Sequence, residues 1–327
     1  MILLVTGGAG FIGSHFIRYI FKKYPSYKII NLDKLTYTAN LKNLKEVKDN
    51  PNYRFIREDI CNYKKVERII KGCDVVVNFA ASTHVDVSIK NPQEFIQTNI
   101  YGTYILLELA KKYKIKRFVQ ISTDEVYGSI RKGFADEETR LNPSNPYSAT
   151  KASADHIVST YSCTYGLNTV ITRSSNNFGP NQYPDKIIPL FITNALRDKP
   201  LPLYAKGLNR RDWLFVLDNC SAIDIVLHKG RKGQIYNISA GNELSNLKLS
   251  KIILKKLKKP FTLIKYVPDR PGHDFRYAMN SEKIKKLGWR PNYDFEKALD
   301  ITIEWYKNNP DYFKNERGVC LFKRKNI

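Results

Sequence analysis

Several residue types are scarce in this sequence, and each scarcity narrows what the chain can be. Its five cysteines (Cys61, Cys73, Cys163, Cys220, Cys320) are odd in number and form no C-x-x-C pair. A disulfide framework is therefore not expected, and a reduced, cytoplasmic setting is. The five histidines join no Cys or Asp cluster at ligand spacing, so no metal is expected. No apolar run approaches the roughly 20 residues needed to span a bilayer, and the opening M-I-L-L-V-T-G-G lacks the basic flank of a signal peptide; no membrane partner is expected. Acidic residues are also few: 31 Asp and Glu face 54 Lys and Arg, a net charge of +23. That excess raises nucleic-acid binding as a rival function. The lysines, however, are spread over many segments and often stand opposite apolar residues, as in K-L-S-K-I-I-L-K-K-L-K-K. No basic-aromatic cluster accompanies them, so they read as solvated helix faces and nucleic acid is not the expected partner. Such a surface would still attract an anionic substrate.

What is present is a packed α/β pattern. At 327 residues with 43% hydrophobic residues, one large or two unequal domains are expected. Apolar, β-branched runs at 2–6, 28–32, 54–56, 75–79 and 118–121 alternate with helical stretches near 12–23, 63–71 and 92–113. A further helix over 147–165 and a strand at 169–173 follow. This alternation predicts a Rossmann-type, doubly wound parallel sheet. After Ser174, Pro and Gly become frequent and the alternation fades. Short strands at L-P-L-Y, W-L-F-V and Q-I-Y-N-I and helices near 186–196, 218–228 and 247–257 predict a smaller, less regular domain. A boundary is thus expected at 174, with 1–174 binding the cofactor, 175–327 binding substrate, and room for a later strand and helix from 175–240 to return to the first domain.

T-G-G-A-G-F-I-G-S follows the first strand and opens the first helix. Glycines there let backbone approach a pyrophosphate, and the helix N-terminus favours its charge. The spacing fits either Gly8-Gly10-Gly13 or Gly7-Gly10-Gly13. Asp33 ends the next strand, where an acid accepts hydrogen bonds from ribose hydroxyls and repels a ribose phosphate; NAD is favoured, with Lys34 beside it as a counter-indication. Asp59-Ile60 and Ala80-Ala81 close the third and fourth strands, where adenine and cofactor could approach. N-P-Y-S-A-T-K places Tyr147 and Lys151 at i and i+4 on one helix face. A nearby ammonium is expected to lower the phenol pKa and make Tyr147 a usable base. Finally, S-T-D-E-V-Y-G sets Ser122-Thr123 and the adjacent acids Asp124 and Glu125 at a strand end, more chemistry than a solvated turn requires.

Together, the glycine loop, Asp33, F-A-A, S-T, Y-x-x-x-K and N-N-F-G-P resemble the extended short-chain dehydrogenase/reductase family over nearly the whole chain. S-T-D-E-V-Y-G, N-R-R-D-W-L-F-V and D-R-P-G-H-D-F-R-Y are similar to its nucleotide-sugar 4,6-dehydratases, which use dTDP-glucose or UDP-glucose in deoxysugar (for example rhamnose) biosynthesis. The resemblance implies that NAD oxidises C-4, water leaves across C-5 and C-6, and the hydride returns to C-6. It assigns Tyr147 as the oxidation base with Thr123 on the same oxygen, Lys151 beside them, Asp124 as acid and Glu125 as base. It adds Phe11, Ile12, Thr36, Thr98 and Asn177 to the cofactor contacts. Thr83, His84, Asn176, Lys186, Leu190, Pro202, Tyr204, Arg211, Asn246, Arg270 and His273 would face the nucleotide diphosphate or sugar. Arg211 and Arg270 suit bidentate phosphate contacts. Where bacterial dTDP-sugar enzymes read A-A-E-S-H-V-D-R-S, this chain has A-A-S-T-H-V-D-V-S. Ser82, Val87, Ala205 and Lys206 therefore leave thymine and uracil open as the base. A homodimer is also implied, through a four-helix interface of 92–113 and 147–165 with Ile105, Leu106, Leu109, Ile157 and Val158 as candidate contacts.

Overall fold

The protein is described by a computed structural model over residues 1–312; Cys320 and the last part of the 175–327 region lie outside the described residues. Seven parallel strands form the central sheet: β1 Ile2–Thr6, β2 Lys28–Asp33, β3 Tyr53–Arg57, β4 Val75–Asn78, β5 Arg117–Thr123, β6 Thr169–Ser174 and, from later in the chain, β10 Ile235–Ile238. Their spatial order is β10-β6-β5-β4-β1-β2-β3. Leu4 of β1 lies between Ile30 and Val76 of its two neighbours. Strands buried on both faces need continuous apolar runs, which the central β1 and β4 supply. On one face Leu3, Val5, Val77 and Val119 pack against Phe16, Ile17 and Ile20 of helix Phe11–Lys23 and Ile223 of helix Val216–Lys229. On the other, Leu4, Val76 and Phe118 pack against Leu106, Leu109 and Val158. Each such side chain, fully buried, contributes about 1.5–3 kcal/mol.

This packing corrects the expected dimer contacts. Ile105, Leu106, Leu109 and Val158 are core residues with no usable exposure, and Ile157 is only partly buried against the same cluster. The apolar groups those helices expose are Ile96, Tyr101, Tyr104 and Tyr165. The single helix expected near 92–113 is also three pieces, a short α-helix Pro92–Phe95, a π-helical Ile96–Gly102 and an α-helix Thr103–Lys112, preceded by a separate helix Val85–Lys90. The widened turn buries Asn99. Its Oδ1 accepts from Ser82 N (2.9 Å), and its Nδ2 donates to Ser82 O (3.0 Å) and Thr150 Oγ1 (2.9 Å). A polar clamp from this turn to the loop at Ser82 and to helix Pro146–Tyr165 has overridden apolar periodicity here.

Beyond Ser174 the remaining strands form two small sheets. β7 Asn176–Phe178 and β11 Glu243–Ser245 flank β9 Arg210–Phe215, while β8 Leu201–Leu203 pairs in parallel with β12 Ile264–Tyr266. The W-L-F-V strand therefore starts earlier, at Arg210, and Val216 already belongs to the next helix. That helix and β10 return to the main sheet, where β10 pairs with β6. Among the described residues no helix is long and apolar enough to cross a membrane. The order in which the parallel strands are laid down reverses between β1 and β4, and above that point the carboxyl ends of the strands open into a cleft.

Candidate active site

At the end of β1, Gly7 turns with φ +69°, and a Cβ there would lie 2.7 Å from Ala80 N. A Cβ on Gly13 would lie 2.5 Å from Gly7 O. Gly8 points instead at Asn31 and Ile17 in the interior. The glycines facing the cleft are thus Gly7, Gly10 and Gly13, which decides between the two readings of the motif. Helix Phe11–Lys23 begins there without a side-chain cap or an acid in its first turn, so its first amides are available to an anion. Asp33 accepts from Ala9 N (3.0 Å) and Leu35 N (2.8 Å), and burial pushes its carboxyl up. Each carboxylate oxygen retains a second acceptor position for a ribose hydroxyl. Lys34 is engaged by Asp59 and Thr98, both at 3.4 Å, rather than held as a free phosphate ligand. This donor and acceptor set fits a dinucleotide.

Across the cleft, β5 ends at Thr123 and passes into a short 3₁₀ turn, Asp124–Tyr127. Thr123 Oγ1 accepts from Glu125 N (3.3 Å) and donates to Asp124 Oδ1 (3.2 Å). Gly128 closes the turn at φ +68°, where a Cβ would sit 2.1 Å from Asn142 O. The two acids are held differently. Asp124 is 3% exposed and its Oδ2 has no protein partner; burial first, then the Glu125 charge, pushes its carboxyl well above the usual range. Glu125 faces the cleft and meets Tyr277 Oη at 3.4 Å.

Tyr147 and Lys151 project from helix Pro146–Tyr165, whose start is fixed by Pro146 and an Asn145–Ser148 capping box. Tyr147 packs among Val85 and Phe95. Here the structure corrects the expected electrostatics. Burial and the Glu125 carboxylate push the phenol up, opposed by a hydrogen bond with Thr123. Lys151 does not supply the lowering: its Nζ donates to Ile121 O at 2.6 Å, and burial drops its own pKa to about 8.

All the catalytic, cofactor and substrate residues drawn from the sequence line this one cleft, whose cavity measures about 420 Å³. At its far end the geometry is more specific than residue type could tell. Arg211 is buried and spends its guanidinium on the carbonyls of Arg210 (2.7 Å) and Asp274 (2.9 Å), stacking on Tyr277 at 4.2 Å. It braces the 274–277 segment and is not a free phosphate fork. Lys186 Nζ donates to Thr83 O (3.0 Å) and Arg270 Nη1 to Asp86 Oδ1 (2.9 Å). His84 caps helix Val85–Lys90 through Nδ1, 3.4 Å from Val87 N, and His273 Nδ1 lies 2.5 Å from Asp269 Oδ1. Burial lowers both imidazoles. The Asn176 and Asn246 carbonyl oxygens and Arg270 Nε are buried without a protein partner, as a polar ligand site requires. Leu190, Pro202 and Tyr204 complete this end. Sequence reasoning missed Tyr277, Asp86 and Asp185 in the lining; Tyr277, four residues beyond His273, lies inside the D-R-P-G-H-D-F-R-Y segment. Among the described residues no group of three His, Cys, Asp or Glu could hold a metal ion.

A parallel sheet with a glycine loop at its first turn and Thr123, Tyr147 and Lys151 at the mouth of β5 defines an extended short-chain dehydrogenase/reductase. Within that class the chain belongs to the family described as GDP-mannose 4,6 dehydratase, whose profile matches residues 4–302. It is 48% identical to a dTDP-glucose 4,6-dehydratase of Streptomyces niveus over 94% of each chain. It is 43% identical to the trifunctional UDP-glucose 4,6-dehydratase/UDP-4-keto-6-deoxy-D-glucose 3,5-epimerase/UDP-4-keto-L-rhamnose-reductase of Arabidopsis thaliana, over 98% of this chain and 49% of that one. The crystal structure of DesIV, a dTDP-glucose 4,6-dehydratase from Streptomyces venezuelae with NAD bound, superposes with a TM-score of 0.94 at 45% identity, covering 95% of this chain and 98% of that one.

Proposed function

We propose that the chain is a nucleotide-glucose 4,6-dehydratase, converting dTDP-glucose or UDP-glucose to the 4-keto-6-deoxyglucose nucleotide and water. The observation that carries this reading is the pair of unlike carboxylates, Asp124 and Glu125, set beside Tyr147 at the mouth of β5. The glycine loop and Asp33 would hold NAD, which would supply the hydride chemistry that no side chain here possesses, with the hydride leaving C-4 and returning at C-6. Tyr147 accepts the O-4 proton, with Thr123 hydrogen-bonding the same oxygen. Lys151, on the next turn of the helix, keeps its own proton and is fixed by the Ile121 carbonyl. Once C-4 is a ketone the C-5 proton is acidic, and Glu125 removes it. Asp124, kept protonated by burial and by its neighbour's charge, donates to the departing 6-hydroxyl. Two carboxyl groups in unlike environments divide acid and base roles between them.

The test is incubation of the purified protein with dTDP-glucose and with UDP-glucose. The expected product is lighter by one water, with no net NADH; formation of a galactose nucleotide alone would replace this reading with a 4-epimerase. Comparing the two rates also decides between thymine and uracil. We further infer a homodimer joined across the helices 92–112 and 146–165, supported by the exposed Ile96, Tyr101, Tyr104 and Tyr165. A monomer in sedimentation at micromolar concentration would reject it. A cytoplasmic location agrees with the free Cys61, Cys73, Cys163 and Cys220.

A further inference from the structure

Arg270 is held in an unusual way for a cleft arginine. One terminal nitrogen, Nη1, donates to Asp86 Oδ1 at 2.9 Å, a contact between residues 184 positions apart in sequence. Both side chains are about three-quarters buried, at 23% and 25% exposure. Arg270 Nε, by contrast, is buried with no protein partner, and both residues line the cleft. Guanidinium carries its donors on separate edges. A carboxylate on Nη1 leaves the Nε edge available and fixes the plane in which it lies. Buried N–H groups without partners are costly unless a ligand satisfies them. Lys186 stands nearby and adds positive charge to that of Arg270 itself, so the ligand this edge awaits is an anion.

We propose that Asp86 is a positioning residue for the substrate diphosphate: by holding Nη1 it presents the Nε edge of Arg270 to a phosphate oxygen. This rests on the nucleotide-sugar reading given above. Asp86 touches no reacting atom, so its effect falls on nucleotide affinity and leaves the chemical steps alone. It also acts only through Arg270. The carboxylate and the phosphate take different nitrogens, so they do not compete.

The experiment is a double-mutant cycle on the full chain with NAD bound, using Asp86→Ala, Arg270→Ala and the double variant, with Asp86→Glu as the conservative rescue. Binding of dTDP and UDP is measured directly, and KM and kcat with the corresponding glucose nucleotides. Asp86→Ala should weaken nucleoside diphosphate binding by about tenfold, the size of one coupled charge contact. The kcat should stay within about threefold of the parent. On the Arg270→Ala background the same change should do almost nothing, and Asp86→Glu should recover part of the loss. Independent, multiplying losses overturn the proposal, and so does tighter binding by Asp86→Ala, which would make Asp86 a competitor of the phosphate. If the parent binds the diphosphates with this coupling but leaves NDP-glucose unchanged, the dehydratase reading fails and the Asp86 assignment stands. A parent that binds neither diphosphate overturns both.

Discussion

At the scale of single residues, the site separates two protons by environment rather than by residue type. Asp124 and Glu125 are neighbours in sequence, yet only Asp124 is sealed from solvent, and burial together with its partner's charge holds its proton. Tyr147 needs the opposite help, since burial and Glu125 both oppose its ionisation. Removing each group should stall the reaction at a different stage. Tyr147→Phe keeps the ring against Phe95 and Val85 but removes the phenol, so no enzyme-bound NADH should appear in a single turnover with NDP-glucose. Glu125→Gln should still give the NADH absorbance while product formation slows by roughly 10²–10⁴, the usual contribution of a general base. Asp124→Asn should also spare oxidation, and combining it with Glu125→Gln should cost less than the product of the two, because both act in one elimination. Loss of the NADH signal in Glu125→Gln, with the fold intact, would rule out this division of labour.

At the scale of elements, the short turn after β5 delivers that asymmetry, and Gly128 is its fixed point. Its φ of +68° and the 2.1 Å approach to Asn142 O leave no room for a side chain. Gly128→Ala should therefore displace the 124–127 turn, destabilise the protein by about 1–3 kcal/mol and lower kcat at least tenfold. NAD affinity should change little, because the glycine loop lies on the far side of the cleft. Equal losses in NAD affinity and kcat would mean a general collapse instead. The central strands β1 and β4 were legible because each is a buried apolar run, and Tyr147 and Lys151 because i, i+4 geometry follows from helix pitch. β7, β11 and β12 were not, since three residues carry no period. Helix Phe295–Asn308 did leave a trace that went unread: Phe295, Ala298, Leu299, Thr302, Ile303 and Tyr306 bury one stripe behind the Asp294 cap. The ties of Arg211 and Arg270 connect residues distant in sequence, and composition alone does not encode such partners.

At the scale of the whole molecule, polar ties hold the sheet to the segments that follow it. Arg173 of β6 pairs with Asp155 (2.9 Å) and donates to Tyr127 Oη (2.8 Å), which itself donates to Asn237 Oδ1 of β10 (2.8 Å). His15 makes a second tie. Arg18 Nη2 can only donate to its Nδ1 (2.9 Å), so Nε2 carries the hydrogen and donates to Pro180 O (2.9 Å). Burial, with Arg18 beside it, lowers this imidazole to about 3. The unfolded chain takes up the proton near 6.5, so the stabilisation is whole above about pH 6.5 and drains away as pH falls toward 3. His15→Asn should be less stable at pH 7 yet flatter across that window, read from urea midpoints between pH 7 and 4.5. Parallel curves for variant and parent would remove His15 from the acid response.

The position of β10 at the sheet edge has a consequence for biosynthesis. β6, all six residues of it buried in the finished protein, waits for a partner that the ribosome delivers roughly 60 residues later. At about 5–20 residues per second that wait lasts roughly 3–12 s. Throughout it the nascent chain offers an open strand edge ready to pair with any other. Chains released or cleaved after residue 174 would keep that edge permanently, and aggregation through β6 is their expected fate.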